Sequence, residues 1–153
     1  MSRRDIIRMT EAEVESYLTT GRDLQVASIN ADGTPHLVTM WFALVDGDLC
    51  FWTYGRSQKI VNLQRDPRVT VLVADGDVYE KLRGVSVAGT ATVIEDRDEV
   101  NAIGEAVFEK YWMPITDEAV REGVHSMGAK RLGVRITLDK VVSWDHSKLE
   151  GAY

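Results

Sequence analysis

A mainly β protein, an antiparallel barrel with helices inserted between its strands, is what the sequence predicts, and three observations carry that expectation. Short apolar, β-branched runs recur along the chain and are separated by turn pairs, Asp32-Gly33, Asp46-Gly47 and Asp75-Gly76-Asp77. The long run Arg83 to Ile94 is interrupted by Gly84 and Gly89, as a strand is where it bends at a barrel corner. Strands also outnumber helices too far for the βαβ units of a parallel sheet. About six or seven antiparallel strands then close on themselves. Residues 1–153 are read as one domain, with no repeat, linker or low-complexity tract.

The elements follow in order. Thr10-Glu11-Ala12-Glu13 has the form of a capping box, in which the Thr10 hydroxyl accepts the Glu13 N–H and the Glu13 carboxylate reaches back. Val14, Tyr17 and Leu18 form an apolar stripe, and Gly21 stops this helix. Leu24 to Asn30, His36 to Leu44 and Leu49 to Thr53 read as three strands joined by tight turns, an antiparallel meander. Ser57 to Arg65 is a helix with Ile60, Val61 and Leu63 as its apolar contacts. Arg68 to Ala74 is nearly continuously β-branched, the pattern of a buried strand. Asp96 to Trp112 is a helix opened by an Asp96…Glu99 cap, packed through Val100, Ile103, Val107 and Phe108, and ended by Pro114. Asp117 to Met127 is a shorter helix, and Arg131 to Leu138 and Val141 to Trp144 close the chain as strands.

Composition removes several function classes. There are 18 Lys and Arg against 24 Asp and Glu, a formal net charge of −6, which disfavours a nucleic-acid partner. No apolar run approaches membrane-spanning length, and Met1-Ser2-Arg3-Arg4-Asp5 lacks a signal-peptide core, so no membrane partner and a cytoplasmic location are expected. Cys50 is the only cysteine and sits in Leu49-Cys50-Phe51-Trp52, where it reads as a packed strand residue rather than a nucleophile. His36, His125 and His146 lack helical ligand spacing, and no metal is expected.

Charge is instead concentrated in Thr53 to Val71. A strand ends in the glycine turn Tyr54-Gly55, and Arg56, Ser57 and Lys59 follow just ahead of a helix that stops at Asp66-Pro67. Cations at a helix N-terminus oppose its dipole, so helix stability gives no reason to place two there, whereas an anionic group such as a phosphate does. Arg56, Ser57 and Lys59 are therefore expected to bind a phosphorylated ligand, Ser57 through its hydroxyl and its N–H. Thr53 and Tyr54 stand beside this turn. No catalytic triad, carboxylate dyad or activated nucleophile is found, which suits redox chemistry performed by a cofactor, and no catalytic side chain is assigned.

The chain resembles the FMN-binding split barrels, the pyridoxamine 5'-phosphate oxidase-like proteins. The resemblance rests on Asp32-Gly33-Thr34-Pro35, Leu37-Val38-Thr39-Met40-Trp41-Phe42, Arg56-Ser57-Gln58-Lys59, Asn62-Leu63-Gln64-Arg65-Asp66-Pro67-Arg68-Val69, Gly89-Thr90-Ala91-Thr92-Val93 and the last strand ending in Trp144. Within that superfamily it is most similar to the actinobacterial flavin/deazaflavin oxidoreductases of group B, which use coenzyme F420. The resemblance implies an antiparallel split β-barrel, and coenzyme F420 as cofactor with FMN as the alternative. It implies that backbone groups of Val38, Thr39, Met40, Trp41 and Phe42 contact the edge of the cofactor ring. A homodimer with the site at its interface is also implied, with Trp144 covering the partner's cofactor. Lys130 and Arg131 would suit the polyglutamate tail of the deazaflavin. Trp41 and Trp52 otherwise read as core residues and Trp112 as a cap or interface residue.

The activity this implies is hydride transfer from the reduced deazaflavin to an electron-poor small molecule, an enone, a quinone or a tetrapyrrole. FMN chemistry at the same site and a carrier that binds the cofactor without turnover are the alternatives. True pyridoxamine 5'-phosphate oxidases are longer, with extra arginines and a C-terminal substrate segment, so vitamin B6 oxidation is not expected of a chain that ends at Tyr153. Gly76 to Leu82 and Tyr111 to Met127 are the segments expected to shape an acceptor pocket.

Overall fold

The computed structural model describes residues 2–149. The elements are α1 (Arg3–Ile6), α2 (Glu11–Thr20), β1 (Leu24–Ile29), β2 (Pro35–Met40), β3 (Ala43–Val45), β4 (Asp48–Tyr54), α3 (Gln58–Arg65), β5 (Arg68–Asp75), β6 (Arg83–Ile94), α4 (Arg97–Tyr111), α5 (Glu118–Gly128), β7 (Arg131–Ile136) and β8 (Lys140–Asp145). Single 3-10 turns lie at Tyr79–Lys81 and His146–Leu149. Among the described residues no helix is long and apolar enough to cross a membrane.

The sheet is eight-stranded and antiparallel, ordered β2-β1-β5-β6-β7-β4-β3 with β8 paired to β6, and it curls into a split barrel. The expected meander is corrected. The stretch His36 to Leu44 is not one strand but two, β2 and β3, which lie at opposite ends of the order. The break falls at Trp41-Phe42, because Phe42 turns its ring fully into the barrel while Trp41 stays 43% exposed outside. The Phe42 N–H leaves the ladder to donate to the Tyr111 hydroxyl at 3.2 Å. β4 then pairs with β3 and β7 and not with β2.

β6 runs from Arg83 to Ile94, the bounds its β-branched pattern predicts. One edge pairs with β5 from Arg83 to Thr90, and the other switches from β8 (Arg83 to Ala88) to β7 (Ala91 to Ile94). Gly89 sits at the switch, where a Cβ would stand 2.0 Å from the Thr137 carbonyl oxygen, so only glycine fits the corner.

Two cores share β4. Leu49 and Phe51 point into the barrel with Leu24, Val26, Val71, Val87 and Ile136. Cys50 and Trp52 point the other way, against Val100, Ile103 and Val107 of α4 and Val124 of α5. The uninterrupted run of apolar residues in β4 follows from burial on both faces. Each fully buried aliphatic or aromatic side chain contributes about 1.5–3 kcal/mol. Cys50 is fully buried, and desolvation pushes its thiol up to about 11.

The helices close the remaining openings. The Thr10–Glu13 capping box forms as read, and Asp96 and Asp117 cap α4 and α5. α3 drops Ile60 and Leu63 into the barrel core. Val61, expected inside, is 48% exposed, and Asn62 is buried in its place. The exchange has a polar cause: the Asn62 amide donates to Ser28 Oγ at 3.1 Å and Asn30 Oδ1 at 3.0 Å, and accepts from Gln58 Nε2 at 2.9 Å. β5 is also more one-sided than expected, burying Val69, Val71 and Val73 while Arg68 and Thr70 are exposed.

Trp52 lies flat against α4 and α5, where a Cβ on Gly104 would approach its indole to 2.4, 2.6 and 2.7 Å. Gly104→Ala is expected to destabilise the fold by about 1–3 kcal/mol through overpacking. Gly123→Ala, in α5 with nothing within 4 Å of the new methyl, is expected to be neutral or to stabilise by up to about 1 kcal/mol. Urea titration of the two variants checks the contrast, and equal midpoints would refute the packing account.

Candidate functional site

β4 ends by presenting alternate residues to opposite faces. Thr53 faces inward and is 6% exposed, whereas Trp52 and Tyr54 face the helical side. The turn Tyr54–Ser57 follows, held by the Ser57 N–H donating to the Tyr54 carbonyl at 3.0 Å. Lys59 folds back so that its ammonium donates to Thr53 Oγ1 at 3.1 Å, and burial pushes its pKa below the usual lysine value. No carboxylate accompanies it among the described residues.

Ser57 is the N-cap of α3, with φ −68° and ψ 152°, yet its hydroxyl bonds no helix N–H. The Ser57 Oγ is buried and has no hydrogen-bond partner. The N–H groups of Gln58, Lys59 and Ile60 belong to the first turn and have no intrahelical carbonyl to reach. A buried hydroxyl without a partner, the N–H groups of a first helical turn, the exposed Arg56 and the half-buried Lys59 thus fall within residues 56–60 at one helix start. The donor set fits a phosphate. One expectation is corrected: the Ser57 N–H is taken by Tyr54, so Ser57 can offer a ligand only its hydroxyl. The neighbouring Asp66-Pro67-Arg68 is a structural turn, with Asp66 accepting the Arg68 N–H and guanidinium, which lowers the Asp66 carboxyl to about 2.

Two more cationic residues, Lys130 just before β7 and Arg131 at its start, run alongside the turn. The Lys130 carbonyl accepts the Gly55 N–H at 3.0 Å, and Arg131 pairs in register with Tyr54. The Arg131 guanidinium lies 4.6 Å over the Trp52 ring and 5.3 Å from the Tyr54 ring, inside a slot of about 360 Å³. Thr39, Met40, Trp41, Trp52, Trp112 and Met127 line that slot together with Arg131. Trp41 stacks on Tyr111 at 4.4 Å and 12°, and Trp112 meets it edge-on at 5.0 Å. The Tyr111 hydroxyl accepts the Phe42 N–H and donates to the Arg22 carbonyl, so it fixes the bridge from which Trp41 projects. Lys110 lies 3.5 Å over the Phe42 ring and donates to the Leu18 carbonyl at 3.1 Å; desolvation, with Arg22 nearby, brings it down to about 8.

Of the residues singled out in the sequence, Thr53, Arg56, Ser57, Lys59, Lys130 and Arg131 gather around the turn. Thr39, Met40 and Trp41 line the adjoining slot, while Val38 packs on the barrel core and the Phe42 N–H is already engaged. Trp144 lies elsewhere, opposite Gly84 in the β6–β8 pair. Tyr111, Trp112 and Met127 come from the segment expected to shape a pocket. Gly76 to Leu82 does not contribute; it packs against the 3-10 turn at His146–Leu149, with His146 N–H donating to the Leu82 carbonyl. Trp52, read as core alone, also lines the slot, a role nothing in its local sequence signals. A larger cavity, about 510 Å³ and walled by Met9, Val14, Leu18, Leu44, Leu138 and Val141, shares no lining residue with the slot. Size alone would have chosen it, but the turn's donor set lies elsewhere.

Residues 10–145 match the family described as pyridoxamine 5'-phosphate oxidase. No curated protein shows significant similarity to the chain. Among solved structures, the chain is similar to the conserved hypothetical protein Rv2991 from Mycobacterium tuberculosis, with 44% identity, 98% of this chain and 93% of that one covered, and a TM-score of 0.93. It is similar to a protein described as F420 reductase, with 25% identity, coverages of 83% and 94%, and a TM-score of 0.64. The heme storage protein HutZ from Vibrio cholerae shares the fold, with 14% identity, coverages of 87% and 94%, and a TM-score of 0.67.

Lys110 ties the bridge to α2, and its titration gives a test. Because its folded pKa, about 8, lies below the unfolded lysine value near ~10.4, the unfolded chain binds more protons between these limits and stability rises with pH there. The difference in unfolding free energy between wild type and Lys110→Met is therefore expected to grow in favour of wild type from pH 8 to pH 10. Urea titrations across that window would show a flat or falling difference if the ammonium were not desolvated in the fold.

Proposed function

The chain belongs to the pyridoxamine 5'-phosphate oxidase family, and on that premise we propose that it is a coenzyme F420-dependent oxidoreductase acting on an electron-poor small molecule. The observation that carries the reading is the buried, unpartnered Ser57 hydroxyl at the start of α3, flanked by Lys59 and Arg56. Such an arrangement leaves donors unused inside the protein unless an anion takes them up. The likeness to a protein described as F420 reductase supports the deazaflavin over FMN.

In this reading Lys59 and Arg56 bind the cofactor phosphate, and the Ser57 hydroxyl and first-turn N–H groups of α3 complete its donors. Lys130, whose carbonyl accepts the Gly55 N–H of the turn, would meet further negative charge on the same ligand. β2 ends the sheet order, so one row of its backbone groups, from Val38 to Met40, has no strand partner and can bond the ring's polar edge. Held there in its reduced form, coenzyme F420 would supply the hydride for an enone, a quinone or a tetrapyrrole. The residues of this chain orient the partners and exclude water: Trp41, Trp52, Trp112 and Met127 give the acceptor an apolar, flat-walled slot. No side chain here is assigned a proton. A second copy would cover the exposed Leu37, Trp41 and Trp112, with Trp144 reaching the partner's cofactor, and the reaction would run in the cytoplasm.

Titration of the cofactor-stripped protein with coenzyme F420 and with FMN, followed by fluorescence, is expected to show tighter deazaflavin binding. Lys59→Ala is expected to weaken that binding by about 1.5–3 kcal/mol, and Ser57→Ala by about 0.5–1.5 kcal/mol. Unchanged affinity in both variants would sink phosphate anchoring. Preference for FMN would transfer the reading to a flavoprotein at the same site. Binding without reduction of any acceptor above the free coenzyme would make the protein a carrier.

A further inference from the structure

We propose that the slot beside the turn selects a planar, conjugated acceptor bearing a carboxylate, with Arg131 receiving the carboxylate and the exposed indoles of Trp41 and Trp112 receiving the ring system. This rests on reading the slot as the acceptor's place in the reductase described above.

Arg68, Arg83 and Arg135 lie against Asp66, Asp75 and Asp48, and Arg121 lies near Glu105 and Glu118. Arg131 has no carboxylate partner among the described residues, and its Nε is buried with no hydrogen-bond partner. Its contacts are aromatic instead, Trp52 at 4.6 Å and Tyr54 at 5.3 Å. Stacking occupies the faces of a guanidinium, and with Nε enclosed the in-plane N–H donors of the two Nη groups are the fork left to match a carboxylate. Arg131 is also held from behind, since the Arg97 guanidinium donates to the Arg131 carbonyl at 2.8 Å and to the Gly128 carbonyl at 3.1 Å.

The shape of the slot specifies the remainder of the ligand. Trp41 is already stacked on Tyr111, with Arg22 4.4 Å over the tyrosine ring and Trp112 against the Trp41 edge. This wall is ordered before any ligand arrives, which favours a rigid flat molecule over a flexible chain. A volume of about 360 Å³ suits a compact ring system. An aliphatic acid would meet Arg131 but leave the indoles idle. A neutral ring would do the reverse and leave the cation unpaired.

The test uses calorimetric titration of the purified full chain with 2-naphthoate, its uncharged isostere 2-naphthamide, and γ-glutamylglutamate as a flexible acid. Wild type is expected to bind naphthoate roughly tenfold or more tightly than naphthamide. Arg131→Gln should erase that gap by weakening naphthoate alone, and Arg131→Lys should restore part of it. Equal binding of the two ring probes, a gap that survives Arg131→Gln, no naphthoate binding at millimolar concentration, or γ-glutamylglutamate binding as tightly through Arg131 would each overturn the proposal. Lys59→Ala separates it from the cofactor reading, because that variant should lose coenzyme F420 and keep naphthoate selection. Cofactor binding without carboxylate selection removes this proposal alone; selection without cofactor binding removes the reductase reading and leaves a site for planar acids.

Discussion

The fold turns on a two-residue bridge. β2 and β3 occupy opposite ends of the sheet order, yet only Trp41 and Phe42 separate them in the chain. Three peptide steps of about 3.8 Å hold the two ends of the sheet within roughly 11 Å, so the sheet must curl until they meet. At the bridge one side chain enters the barrel and the next leaves it, and Tyr111 fixes the arrangement through the Phe42 N–H and the Arg22 carbonyl. The same tyrosine is the surface on which Trp41 stacks. Closing the barrel and building the slot wall are one event, carried by one ring.

β4 extends that coupling to the turn. It is buried on both faces, so its end cannot move without disturbing either core. Thr53 delivers a hydroxyl to Lys59 on the barrel side, and Trp52 delivers a ring to Arg131 on the helical side. The two cations therefore stand on opposite faces of one strand end, in a chain whose formal charge is −6. An acidic surface around a locally basic site keeps anions from settling elsewhere and draws them to this mouth.

Local signals were read well from the sequence, and long-range pairings were not. The Thr10–Glu13 box, the Asp96 cap and the full extent of β6 are written in residues a few positions apart. The basic turn was equally visible, since Arg56, Ser57 and Lys59 are near neighbours. The meander failed because a tight turn says which strands are consecutive, not which edge the next one joins. Val61 and Asn62 exchanged places because Ser28 and Asn30, some thirty positions away, provide polar partners that no helical periodicity reveals. The slot was least legible: it joins residues 39–41, Trp52, Trp112, Met127 and Arg131, which only the curled sheet brings together. The expectation that Tyr111 to Met127 shapes a pocket carries no sign that Trp52 lines the same slot.

The buried thiol of Cys50 has a practical meaning of its own. As the sole sulfhydryl of the chain, fully enclosed between β4 and the helical layer and deprived of its thiolate form at neutral pH, it lies outside the traffic of cellular oxidants and alkylating agents. Reagents can reach it only when α4 and α5 lift from the sheet. The rate at which it is labelled is then a clock for that opening, one that needs no engineered probe and no signal from the site itself.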